Sequence, residues 1–260
     1  MAHSTTEIKI EIEWNYTPPS YFEEQIICER AGYSIEIEDG HITARMNADV
    51  FDSQPGFRDS LTQKLNDYFL GAQLIRRQAF EIHGGAINRV WPDGRRDTTL
   101  VVQSAVHKHT AENVDLVSTD DEGVVHDTRR DRIDTTKNLA ELSAGHAATD
   151  RTARKMLYSF DAAVRDSENE LVYLYEVWEA LQTKFRGEEK ARNALGILRR
   201  ARSRLTHLAD DEPLNQGRHR GSHAGSLRNA TTDEIDEARA IAGDMIASYL
   251  NYLDQQQQHK

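Results

Sequence analysis

The spacing of apolar residues changes period once along this 260-residue chain, and that change restricts the possible folds more than any other feature. In the first hundred or so residues apolar positions tend to alternate with polar ones, whereas beyond residue 135 they recur every three or four. Alternation buries one face of a strand, and a 3.6-residue repeat buries one stripe of a helix, so a sheet-bearing part precedes a helical part. In residues 7–14, Ile8, Ile10, Ile12 and Trp14 share one strand face. Residues 33–38 and 41–46 flank Asp39-Gly40, whose tolerance of positive φ suits a type I′ hairpin turn. Phe57, Leu61, Leu65 and Phe69 predict a helix over 57–70, and residues 74–83, 87–91 and 99–106 predict further strands, separated by Gly84-Gly85 and Pro92-Asp93-Gly94. The expected fold class is therefore α+β. An N-terminal mixed antiparallel-sheet domain (1–111) is followed by a polar linker (112–134), which holds Asp120-Asp121-Glu122-Gly123 and Arg129-Arg130-Asp131-Arg132, and by a C-terminal helical bundle (135–260).

The helical part shows its caps. Residues 151–165 form one helix, and Ser167-Glu168-Asn169-Glu170 fits a capping box ahead of a stripe made by Leu171, Leu174, Tyr175, Trp178, Leu181 and Phe185. That aromatic stripe is the bundle core, and Gly187 ends the helix. Residues 188–208 continue the period through Ala191, Leu195, Leu198, Leu205 and Leu208. Thr231-Thr232-Asp233-Glu234 caps a last helix that carries Ile235, Ala238, Ala242, Met245, Tyr249 and Leu253 and ends in a frayed glutamine tail, 255–258.

Composition removes several function classes. No apolar run approaches the roughly 18 residues of a membrane span, and Met1 to Thr6 lack a secretory pattern, so the expectation is a cytoplasmic protein without membrane contact. A single cysteine, Cys28, excludes a disulfide framework and reads as a small core residue. Net charge is −11, unevenly spread: residues 1–134 carry −10 and residues 135–260 only −1. Within the second part, residues 184–228 hold 11 basic against 5 acidic side chains. The acidic first domain shows no phosphate loop, nucleophile elbow or carboxylate pair, which leaves a protein partner or a small-molecule effector open there.

The connector at 210–230 contains Gly217-Arg218-His219-Arg220-Gly221-Ser222-His223-Ala224-Gly225. Arginine forks can hold an anionic phosphate, and histidines can move protons to and from the attacking and leaving oxygens, so these residue types together suit a phosphodiester without a metal or other cofactor. Five arginines precede a histidine by five to seven positions: Arg76, Arg77, Arg200, Arg202 and Arg218. Only Arg218 is also followed directly by Asn, Asp or His. In this respect the helical half, roughly 137–254, resembles the HEPN ribonucleases, which carry an arginine, then Asn, Asp or His, and a histidine a few residues beyond. The resemblance implies a metal-independent endoribonuclease in which two bundles bring their motifs to one cleft, with the RNA 2′-hydroxyl attacking its own phosphate. It implies Arg218 and His223 as catalytic residues, His219 as support, RNA as partner, a homodimer or higher homo-oligomer, and a toxin or phage-defence setting.

Arg199, Arg200, Arg204, Arg220 and Arg228 are the candidate RNA-binding residues, with Arg192 and Arg202 on the same basic stretch. Plainer alternatives stand beside this. The arginine run can be a solvated helix face, and the loop can be a connector whose arginines pair with Asp210, Asp211 and Glu212. His219 and His223 can ligate a metal, though no third ligand is evident nearby. His83 and His207 read as packing or surface residues. The rival function is a catalytically inactive RNA-binding or regulatory interaction module.

Overall fold

A computed structural model describes residues 7–101, 117–119, 125–218, 220 and 226–258. The chain forms an N-terminal mixed antiparallel-sheet part followed by a C-terminal helical bundle. It divides into two compact units: Met1–Gln63 with Phe80–Val114, and Lys64–Ala79 with Asp115–Lys260.

In the first unit, β1 (Lys9–Thr17), β2 (Ile26–Arg30), β3 (Tyr33–Glu38), β4 (His41–Asn47), β5 (Glu81–Val90) and β6 (Arg96–Leu100) form one sheet in the order β2-β3-β4-β1-β5-β6. Every neighbouring pair is antiparallel. Alternation decides which face is buried: Ile10, Ile12, Trp14 and Tyr16 of β1 line up with Ile35, Ile37, Ile42, Ala44 and Met46 on the inner side, and Cys28 is buried with them. The Asp39-Gly40 turn has φ of 45° and 83°, as a type I′ hairpin requires. A short helix α1 (Ala48–Asp52) follows β4, and the first turns of α2 (Phe57–Arg76) bury Phe57 and Leu61 and receive the Trp14 indole N–H on Thr62 Oγ1 at 3.1 Å. On the outer face charges alternate across strands, with Arg45 on Glu36 and Arg96 on Glu11.

Three expectations for the first hundred or so residues change. Residues 74–76 complete α2, because Leu74 is buried as part of that helix, and the following strand starts only at Glu81. Gly84-Gly85 lies inside β5: the β1–β5 register slips between Ile12 and Trp14, placing an extra residue opposite Glu13. The strand expected at 99–106 is seen as Arg96–Leu100, and residues 102–106 lie outside the described residues.

The second unit packs α3 (Thr128–His146), α4 (Arg151–Arg165), α5 (Glu170–Phe185), α6 (Glu188–Leu195), α7 (Arg199–Thr206) and α8 (Thr232–Gln258) with residues 64–79. Its core joins Met156, Leu157 and Phe160 to Leu171, Leu174, Trp178 and Leu181, and to Met245, Ile246, Tyr249 and Leu250. Part of the expected linker is structured, since residues 117–119 and 125–127 pair as β7 (Val117–Thr119) and β8 (Val125–Asp127). Asp127 then caps α3 by accepting the Arg129 and Arg130 amides. The box expected at 167–170 does not form. Asp166 takes the Glu168 amide at 3.1 Å, Asn169 precedes the helix, and the Glu170 carboxylate turns to Arg239. Gly196, at φ 67°, breaks residues 188–208 into α6 and α7. The 255–258 tail is the last turn of α8. No described helix is long and apolar enough to cross a membrane.

Candidate functional site

The loop between α7 and α8 is closed at its base. After α7 the backbone widens into one π-helical turn, His207–Asp211, in which the Glu212 amide reaches the His207 carbonyl at 2.9 Å. Leu214 and Arg228 then form an isolated parallel bridge: Asn215 N–H donates to Arg228 O at 2.9 Å and Arg228 N–H to Pro213 O at 3.0 Å. Asn215 Nδ2 on Asn229 Oδ1 (2.7 Å) and the Ala230 amide on Gln216 Oε1 (3.0 Å) tie the two sides again. Gly217 permits the next approach, because a Cβ there would stand 3.0 Å from the Ala209 carbonyl oxygen, the acceptor of the Arg218 amide at 2.8 Å. The π-turn thus supplies the carbonyl that positions the first residue of the motif.

Arg218 is seated from three sides. Its guanidinium carbon lies 4.7 Å from the Tyr175 ring centroid, and Nη1 lies 3.0 Å from Glu179 Oε1 and 3.6 Å from Asp210 Oδ1. Tyr175 and Glu179 are one turn apart on α5, while Asp210 comes from the π-turn. Burial and the nearby Asp210 carboxylate push the Tyr175 phenol upward. Both ion-pair contacts of Arg218 among the described residues run through Nη1, and its side chain keeps 33% exposure.

The other candidate arginines separate into two groups. Arg220 donates from Nε to Gly217 O (3.0 Å) and from Nη2 to Glu168 O and Asn169 Oδ1 (2.8 Å each), fastening the loop to the entry of α5. Arg228 pairs with Glu234 and, at 3.4 Å, with Glu212; Arg204 pairs with Glu237 at 2.8 Å; Arg202 pairs with Glu188 at 2.8 Å. Arg199 and Arg200, at the start of α7, are exposed. Part of the basic surplus of residues 184–228 is therefore met by carboxylates, some of them, Glu179, Glu234 and Glu237, from outside that stretch of sequence.

His219 and His223 lie outside the described residues. His207 is half-exposed, with Nε2 2.9 Å from Glu212 Oε1, and His83 is largely buried with Glu81 at 3.7 Å. Among the described residues no group of three His, Cys, Asp or Glu side chains is placed to hold a metal ion. In the first unit a cavity of about 330 Å³ is lined by Glu13, Asn15, His41, Thr43 and Leu100 among others.

Three parts of this frame escape sequence reasoning. Tyr175 belongs to the apolar stripe and is buried, yet one ring face carries a cation. Glu179 is the polar neighbour of that stripe, and only its i,i+4 spacing from Tyr175 hints at a shared partner. Glu234 is legible as a cap, but its grip on Arg228 depends on the loop closing. No family model, no characterised protein and no solved structure matches this chain.

Proposed function

We propose that the helical unit is a metal-independent endoribonuclease of the HEPN kind, acting on RNA through attack of a 2′-hydroxyl on the adjoining phosphodiester. The observation that carries this reading is the seating of Arg218: its guanidinium is paired through Nη1 on a loop closed at its base, while the side chain keeps 33% exposure. A connector needs no such frame. In the proposed reaction Arg218 offsets the phosphate charge, His223 transfers protons and His219 supports it. Arg199 and Arg200, exposed on α7, track the RNA backbone, whereas Arg204, Arg220 and Arg228 serve mainly to hold the protein. The reading includes a homodimer or higher homo-oligomer in a cytoplasmic toxin or phage-defence setting, with the cavity of the first unit as the place for a small-molecule effector.

The test is incubation of the purified full chain with single-stranded RNA in EDTA. The expected result is cleavage that leaves cyclic phosphate ends and is abolished by His223→Ala without loss of helical signal. RNA left intact overturns the reading, and cutting that stops with chelator favours metal chemistry. A second reading, a catalytically inactive RNA-binding or regulatory module, is favoured by the two carboxylates that already share the charge of Arg218. Salt-sensitive RNA retention without cutting supports it.

A further inference from the structure

We infer that Tyr175 is a positioning residue for Arg218, its ring face setting the plane of the guanidinium while Glu179 and Asp210 set its rotation. The inference rests on the ribonuclease reading and adds a role for a side chain that the apolar periodicity assigns to the core alone. A guanidinium is planar, so a ring beneath it restrains tilt, and carboxylates drawn to one of its nitrogens restrain rotation within the plane. Here the ring centroid is 4.7 Å away, and both carboxylates pair with Nη1, Glu179 at 3.0 Å and Asp210 more loosely at 3.6 Å. The ring is itself buried: Tyr175 is 8% exposed, and the nearby Asp210 carboxylate adds to the burial that pushes its phenol upward. Asp210 therefore acts on both the cation and the phenol beneath it. The backbone of Arg218 is fixed independently by Ala209 O, so the side-chain frame acts on orientation rather than on where the loop runs.

A frame of this kind makes a prediction opposite to that of simple charge sharing. If Glu179 only competed with phosphate for Arg218, Glu179→Gln would release the cation and raise RNA affinity and cutting. If it positions Arg218, Glu179→Gln lowers kcat while KM for RNA changes little, because the fork no longer meets the transition state squarely.

The experiment is steady-state cutting of a short single-stranded RNA in EDTA by the full chain and its variants, with thermal unfolding recorded for each. Tyr175→Leu, which removes the ring face but keeps apolar volume, is expected to lower kcat about tenfold with a much smaller change in KM. Tyr175→Phe, which keeps the ring, recovers most of the rate. Tyr175→Leu combined with Arg218→Ala is no slower than Arg218→Ala alone. Glu179→Gln, at a half-exposed position, gives the same kcat-selective loss without any demand on core packing. Active wild-type protein with unchanged kcat in both Tyr175→Leu and Glu179→Gln, or with faster cutting in Glu179→Gln, overturns the inference and leaves the ribonuclease reading standing. Wild-type protein that never cuts RNA overturns both.

Discussion

Arg228 holds Glu234 through two hydrogen bonds of 2.7 Å each, Nη1 to Oε2 and Nη2 to Oε1. The same carboxylate accepts the Thr231 amide at 2.8 Å, while Thr231 Oγ1 accepts the Glu234 amide at 3.2 Å. This is the reciprocal capping box at the start of α8. One side chain therefore begins the last helix and fastens the base of the Arg218 loop, since the Arg228 peptide also bridges to Pro213 and Asn215.

This coupling makes the loop base sensitive to acid. The hydrogen bonds from Arg228, with those from Thr231, hold the Glu234 carboxyl down at about 2, against an ordinary value of 4.5. A carboxyl depressed in the folded state contributes fully above its unfolded value and loses that contribution as pH falls through its folded value. Protection of the Asn215 and Arg228 amides against hydrogen exchange, relative to their intrinsic rates at each pH, is therefore expected to fall between pH 4.5 and about 2. In Glu234→Gln the same amides exchange faster already at pH 6, and this acid step disappears. Equal protection in variant and wild type at pH 6 would show that the carboxylate does not hold the loop.

Much of this architecture is legible in the chain, and the failures share a cause. Asp39-Gly40, the β1 alternation, the helix at 151–165 and the Thr231 box are local signals that nothing distant opposes. The misreadings arise where tertiary partners override local preference. Residues 74–76 open a stretch expected as a strand but complete a helix that buries Leu74, and Glu170 leaves the Ser167 box for Arg239 on α8. The Arg218 frame is harder still to read, because its carboxylates lie 39 residues before it and 8 before it, on separate elements.

Gly71 provides a test of packing in the helical unit. A Cβ at this position of α2 would collide with the Leu139 carbonyl oxygen and stand 2.7 Å from both Ala140 Cα and Ser143 Cβ of α3. Alanine normally gains about 1 kcal/mol over glycine inside a helix, but overpacking against backbone costs about 1–3 kcal/mol and cannot be relieved by a rotamer change. Gly71→Ala is expected to lower stability by about 1–2 kcal/mol in urea unfolding. Gly145→Ala on α3, where a Cβ meets nothing within 4 Å, is expected to raise it. A stabilised Gly71→Ala protein would refute the close approach of α2 and α3.

The Glu170–Arg239 pair ties the entry of α5 to α8. Glu170 is 2% exposed, and burial pushes its carboxyl up, against the pull of the Arg239 guanidinium. Arg239→Met strands a buried carboxylate and is expected to cost about 3 kcal/mol at pH 7. The upward push grows once the cation is gone, so the penalty applies above the raised value and is relieved as pH falls toward the ordinary 4.5. Urea midpoints at pH 7 and pH 5 should therefore show a larger deficit at pH 7. Equal deficits would mean that Glu170 is not the group left uncompensated.

Gly85 tests the sheet in the same way. Trp14 ↔ Gly84 and Ile12 ↔ Ile87 bracket the bulge, and Val101 N–H returns to Gly85 O at 2.7 Å, so the extra residue serves the pairing of both β1 and β6 with β5. A Cβ on Gly85 would meet the Glu13 carbonyl group, with its carbon 2.8 Å away and the Trp14 nitrogen at 3.3 Å. No side-chain rotation relieves a contact with backbone, so Gly85→Ala must shift one strand against the other and costs about 2–3 kcal/mol. The shift reaches the core, because Trp14 is 1% exposed and its indole N–H depends on Thr62 of α2. The expected readout is a lower urea midpoint together with red-shifted tryptophan emission before unfolding begins. A variant with the wild-type midpoint and emission would mean that Gly85 is not in contact with the β1 backbone.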